Sequence, residues 1–278
     1  MTAEGAAPTA ETVDFEGVQI TFEGALATLL LNDPDRRNAV TPEMASAIAE
    51  ALQEAAKPRR RVRCIYITGA GSGFCAGANL AGSAKAVAGG KGSVPALASV
   101  ETTYHPALRR LQAVEIPVVA GVNGPCIGFG LGLALAADYV VCSDAAFFST
   151  PFVGLASASD SGLTWTLPRI IGVQRARRML LRGERVPAAT ALEWGLVSEV
   201  APADQFAQKA REVAESFANG PTIAISEIKR LIKDGATRDI DTMLEAEIRA
   251  VARTSRTKDN VAAIRVFGKK ERPVFTGE

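Results

Sequence analysis

The chain has 278 residues, 47% of them hydrophobic and 22% charged, with 31 Lys and Arg against 30 Asp and Glu for a net charge of +1. That length suits one core with an appendage, and so nearly neutral a chain has no long-range pull toward nucleic acid or anionic lipid. A single histidine, His105, excludes histidine-rich zinc sites, and no apolar run reaches the roughly 20 residues that a membrane span needs.

Residues 1–13, rich in Ala, Glu, Thr and Pro, read as a disordered lead. Met1 to Ala10 has neither the basic nor the apolar region of a signal peptide, so a cytoplasmic address is expected. Val18 to Phe22 and Ala27 to Leu31 are β-type runs around a Glu23-Gly24 turn. Thr41-Pro42-Glu43 opens a helix, with Thr as N-cap, and Met44, Ile48, Leu52 and Ala55 follow at helical spacing. Arg59 to Arg63 reads as a solvated lead-in to the next strand, with a dock for a polyanion as the competing reading.

Cys64 to Thr68 and Pro117 to Val122 are continuous apolar runs, expected as strands buried on both faces. Each runs into glycines: Gly69, Gly71 and Gly73 after the first, Gly124, Gly128, Gly130 and Gly132 after the second. Residues 81–99 suggest a loop or poorly ordered helix, and His105 a structural or capping residue at a helix start. A buried helix begins near Gly130 and Tyr139 to Cys142 is a further strand. Beyond residue 203 the pattern becomes all-helical, with apolar faces that need the core or another copy of the chain to cover them. The domain reading is therefore a β/α core over 14–203 and a helical region over 204–278. The four cysteines form no CxxC pair and read as reduced, buried thiols.

The first glycine loop, Gly69 to Leu80, misses the GxGxxG fingerprint because Phe74 stands at its third glycine, and it lacks the Lys-Ser/Thr of a phosphate-binding loop. Two glycine loops after two buried strands can instead converge two backbone N–H groups on one point, as an oxyanion hole does; simple turns are the competing reading.

Leu31 to Val40, Ile67 to Leu80, Val122 to Asp138, Glu193 to Val200 and Arg272 to Gly277 together resemble, in the right order, the landmarks of the crotonase (enoyl-CoA hydratase/isomerase) family. The resemblance implies a spiral of ββα units with a C-terminal helical trimerisation region, an acyl-CoA substrate, a homotrimer or hexamer, and no separate cofactor or metal. It implies the backbone amides of Ala78 and Phe129 as oxyanion donors, the Phe129 ring narrowing the pocket. It implies a coenzyme A site around Arg37, Ala39, Ala76, Asn79 and Leu80, with Gly128 and Phe152 lining the acyl region. Asn79 stands where the family usually has Asp.

Family hydratases use two glutamates; Gly132 and Phe152 stand at those positions here, and neither can orient water or exchange a proton. Asp160 falls where the family's enoyl-CoA isomerases carry their single acid. The resemblance therefore implies isomerisation of 3-enoyl-CoA to 2-enoyl-CoA, with a hydratase and a non-catalytic CoA-binding protein as alternatives. A helix N-cap is the structural reading of Asp160, and Asp138 is expected to cap or pair.

Overall fold

The computed structural model describes residues 10–89 and 98–278. Among the described residues ten strands form two sheets: β1 (Glu11–Phe15), β2 (Val18–Glu23), β3 (Leu26–Leu31), β4 (Cys64–Gly69), β5 (Val118–Val122), β7 (Tyr139–Ser143) and β10 (Glu199–Ala201) in that spatial order, and β6 (Cys126–Ile127), β8 (Phe147–Ser149) and β9 (Val186–Pro187) in a small second sheet. The first three strands pair antiparallel, whereas β3, β4, β5, β7 and β10 run parallel. Strand β1 begins at Glu11, inside the stretch expected as a disordered lead. Its Glu11 to Phe15 pair residue by residue with Phe22 to Val18, so this polar edge strand is held by its neighbour's ladder.

Eleven helices follow in chain order among the described residues: α1 (Pro42–Ala55), α2 (Ala81–Ala88), α3 (His105–Gln112), α4 (Phe129–Leu135), α5 (Leu163–Ile170), α6 (Gly172–Arg182), α7 (Ala188–Glu193), α8 (Phe206–Ala218), α9 (Thr222–Gly235), α10 (Ile240–Thr254) and α11 (Lys258–Val266). α1 starts as expected: Thr41 Oγ1 accepts the Met44 N–H at 3.1 Å and Pro42 holds the first turn. α2 lies within 81–99, of which residues 90–97 fall outside the described residues. No described helix is long and apolar enough to cross a membrane.

Apolar residues cover both sheet faces. Leu29, Ile65, Ala120 and the α1 residues Ile48 and Leu52 belong to one core cluster, while Tyr66, Val119 and Val141 pack against Phe206, Ala210 and Ala214 of α8 in a second. Packing therefore carries the core past residue 203 to the end of α8. The later helices keep much of their apolar surface outside: Ile228, Ile232, Ile240, Leu244, Ile248 and Val251 are all exposed. The basic run at 59–63 is built into the structure. Arg60 pairs with Glu54 and Glu11 and lies 4.1 Å above the Phe22 ring, while Arg63 donates to Thr222 Oγ1 at 2.8 Å and to the Phe275 carbonyl at 3.1 Å, tying β4 to the tail. Arg272 to Gly277 is seated by Asp259, whose carboxylate accepts the Thr276 and Gly277 N–H groups at 2.7 and 3.0 Å.

Candidate functional site

Parallel pairing places the three candidate loops at one edge of the large sheet. Leu31 at the end of β3 stands opposite Gly69 at the end of β4, and Thr68 stands opposite Gly121 near the end of β5. Residues 32–40, 70–80 and 123–129 therefore leave from neighbouring carboxyl ends, where ligand sites of parallel sheets collect.

Asn38 joins the first two loops. It is fully buried with φ of +56°, and its Nδ2 lies 2.9 Å from the Ala70 and Gly73 carbonyl oxygens and 3.2 Å from that of Phe74. Its Oδ1 accepts the Asp33 N–H at 2.9 Å. Beside it, the Arg37 carbonyl accepts the Ala76 N–H at 2.9 Å, and half-buried Ala39 donates to the Arg36 carbonyl at 3.1 Å. The Arg37 side chain is exposed on the same rim, as is that of Leu80. Asn79 Oδ1 accepts the Ala81 N–H at 2.9 Å, so its amide group secures the start of α2. All five proposed coenzyme A residues lie on this pair of segments.

A parallel bridge joins Val40 to Ala78: the Val40 N–H donates to the Gly77 carbonyl and the Asn79 N–H to the Val40 carbonyl, both at 2.8 Å. These bonds use the peptide groups flanking Ala78, so alternation turns its own N–H away from Val40. A second bridge, Cys75 to Cys126, closes the first loop onto the second. Gly77 has φ of +96°, and a Cβ there would lie 3.0 Å from the Ile127 carbonyl oxygen and 3.9 Å from the Phe129 nitrogen. Only glycine tolerates both that angle and that approach. Gly128, with φ of +52° and ψ of −115°, turns the chain into α4. Among the described residues neither the Ala78 N–H nor the Phe129 N–H has an acceptor. Two unused donors thus flank one close backbone approach, the arrangement needed to hold a developing oxyanion.

The Phe129 ring is buried edge-on against Tyr104, with centroids 5.1 Å apart, and so is anchored in the core. The Tyr104 hydroxyl donates to the Val40 carbonyl at 2.8 Å. Burial first, with Glu43, Cys75 and Asp160 adding negative charge, pushes its phenol up to about 12. Phe152 is buried, with Cζ 3.8 Å from where a Cβ on Gly128 would stand.

The Asp160 carboxylate does not cap α5, whose N-cap is Gly162 with no side-chain bond. Asp160 Oδ1 instead accepts the Ser161 hydroxyl at 2.7 Å. Ser161 is buried with φ of +58° and fills the space beside Gly132. His105 makes no side-chain cap and sits where a turn of π-helix, Val100–Tyr104, passes into α3. Asp138 pairs as expected, accepting the Val118 N–H at 2.8 Å and facing Lys229 Nζ at 2.6 Å. Tyr104 and Ser161 lie in no motif read from the sequence, and Asn38 lies within the Leu31 to Val40 segment without a signal of its own; long-range contacts show their roles.

The enoyl-CoA hydratase/isomerase family model matches residues 21–278. The 1,2-epoxyphenylacetyl-CoA isomerase of Escherichia coli K12 is 36% identical over 257 residues, covering 92% of this chain and 97% of its own. A crystal structure from Mycobacterium abscessus, described as a candidate enoyl-CoA hydratase/isomerase, superposes with a TM-score of 0.88 at 38% identity over 94% of this chain and all of that one. An enoyl-CoA hydratase from Bacillus anthracis does so with a TM-score of 0.86 at 29% identity over 95% of this chain and all of that one. Membership among these enzymes sets aside the non-catalytic alternative. With its parallel sheet, joined glycine loops and helical tail, the chain belongs to the crotonase superfamily of enoyl-CoA hydratases/isomerases, enzymes that act on acyl-CoA thioesters.

Proposed function

We propose that this enzyme moves the double bond of a 3-enoyl-CoA to give the 2-enoyl-CoA, with Asp160 carrying the proton. The thioester oxygen sits against the Ala78 and Phe129 N–H groups. The Asp160 carboxylate removes a proton from the carbon alpha to the thioester, the negative charge spreads into a dienolate held by the two amides, and Asp160 returns the proton two carbons further along. Each amide donor is worth about 3 kcal/mol to such a transition state. Arg37, Ala39, Ala76, Asn79 and Leu80 line the coenzyme A side, Gly128 and Phe152 the acyl side. The carrying observation is the occupation of the Gly132 position by Ser161, which leaves no room for a second carboxylate and sets Asp160 beside it. The name of the Escherichia coli relative, an isomerase of a CoA thioester, supports the same class of reaction.

Water addition to a 2-enoyl-CoA is the second reading, favoured by the name of the Bacillus anthracis relative. Offering wild type and Asp160→Asn both 3-enoyl-CoA and 2-enoyl-CoA, with migration and hydration recorded separately, decides between them. Migration by wild type that falls by at least about 100-fold in the variant is expected for loss of the group that carries the proton. Robust hydration by both proteins would replace isomerisation with the second reading.

The uncovered apolar face of α9 and α10, including Ile228, Ile232, Leu244 and Ile248, supports assembly as a homotrimer or hexamer. Light scattering on purified protein checks the mass, and a monomer at micromolar concentration would overturn the assembly.

A further inference from the structure

Beside the proposed reaction centre lies a cavity of about 390 Å³ whose lining includes Phe152, Ser159, Thr164, Arg177, Leu180 and Leu181. Two of these residues connect it to the chemistry. Phe152 forms the wall next to Gly128, the residue before the Phe129 amide, and Ser159 immediately precedes Asp160.

The far wall comes from α6, where Arg177, Leu180 and Leu181 stand at i, i+3 and i+4 and so share one face. Most of the neighbouring arginines are engaged. Arg178 and Arg182 pair with Glu184 at 2.6 Å each, and Arg175 lies 5.4 Å from the Trp194 ring centroid. Arg177 has no carboxylate, carbonyl or ring partner among the described residues. A largely apolar, solvent-facing depression that carries an unneutralised guanidinium and hydroxyls does not match a plain alkyl tail. It matches a methylene chain ending in an anion, because a guanidinium takes a carboxylate in a two-point, charge-assisted bond.

We propose that this cavity is a subsite for the distal end of the acyl group and that Arg177 selects acyl-CoA substrates bearing a terminal carboxylate. The inference rests on the thioester orientation given above. Arg177 is exposed, so its bond to a carboxylate competes with water and a preference of about ten-fold is expected, the lower end for a charged hydrogen bond.

Calorimetric binding of saturated thioesters, which cannot react, tests it at two lengths: hexanoyl-CoA against adipoyl-CoA and octanoyl-CoA against suberoyl-CoA. Wild type is expected to bind the carboxylated member of at least one pair about ten-fold more tightly. Arg177→Met is expected to erase that preference while leaving the alkyl thioesters unchanged, and Arg177→Lys to keep part of it. Equal binding within both pairs, or a preference that survives in Arg177→Met, overturns the subsite while leaving the thioester reading standing. Failure of all four thioesters to bind wild type would overturn both.

Discussion

A Cβ placed on Gly132 would lie 2.7 Å from the Ser161 Cβ and 2.8 Å from the Ser161 carbonyl oxygen. The space that a side chain at 132 would use is already taken by the residue following Asp160. Restoring a carboxylate by Gly132→Glu therefore creates a clash with backbone rather than a second acid. We expect the variant to lose about 1–3 kcal/mol of stability from overpacking and to gain no hydratase activity. Thermal unfolding and a 2-enoyl-CoA hydration assay check both; a well-folded variant that hydrates would show that the space opens freely.

Ser161 also donates its hydroxyl to Asp160 at 2.7 Å, which fixes one carboxylate oxygen and leaves the other available. Ser161→Ala is predicted to lower kcat for double-bond migration about ten-fold while KM changes by less than about two-fold, as expected for losing one charge-assisted bond at the base. Ser161→Thr, which keeps the hydroxyl but adds a methyl beside Gly132, tests packing separately. An unchanged kcat in Ser161→Ala would remove Ser161 from the positioning of Asp160.

Asn38 holds three carbonyls of the first glycine loop and the N–H of Asp33. Asn38→Ala strands those buried groups, at a cost of at least about 3 kcal/mol. The midpoint of urea unfolding is expected to fall with its slope unchanged, and the surviving enzyme to show a raised KM for its CoA thioester, because the Arg37–Val40 and Ala76–Leu80 segments are no longer fixed together.

Acid sensitivity follows from Glu227, the acceptor that links α10 to α9. The Arg253 side chain, then that of Arg230, holds its carboxyl at about 2 instead of the ordinary 4.5, despite an opposing effect of burial. A carboxyl depressed in the folded state stabilises the fold above pH 4.5 and loses that contribution as pH falls toward 2. The unfolding temperature of wild type is predicted to drop across that window more steeply than that of Glu227→Gln, with the difference shrinking in high salt. Parallel curves for the two proteins would show that the pair adds nothing.

Burial raises the thiols of Cys64, Cys75 and Cys142 to about 12 and that of Cys126 well above its ordinary value. A thiol-specific reagent at pH 8 should therefore label none of the four in the native enzyme and all four in urea. Rapid labelling without denaturant would reveal local opening at the sheet edge.

Local pattern was enough to read the sheet strands at 18–31, 64–68 and 117–122, the Thr41 cap of α1 and the two glycine loops, because alternation, capping and positive-φ demands are written in neighbouring residues. The first strand escaped, since Glu11 to Phe15 has little apolar signal and is held by the β2 ladder. Asp160 showed the opposite problem. An Asp before a helix reads as a cap in any linear scan, and only the fold turns its carboxylate to Ser161 and gives the cap position to Gly162. The basic run at 59–63 likewise found its partners at Glu11, Glu54 and the distant tail.

The sequence by itself determined the strands at 18–31, 64–68 and 117–122 and where the backbone must turn through glycine. Tertiary structure alone decided that the two loops meet at Gly77 and Phe129, that Ser161 fills the space of Gly132, and that Arg177 and Ser159 line one cavity. The physical reason is range. Hydrogen-bonding and steric preferences act between neighbours in the chain, whereas a site is made by packing residues that lie tens of positions apart, and nothing in either partner alone encodes the distance between them.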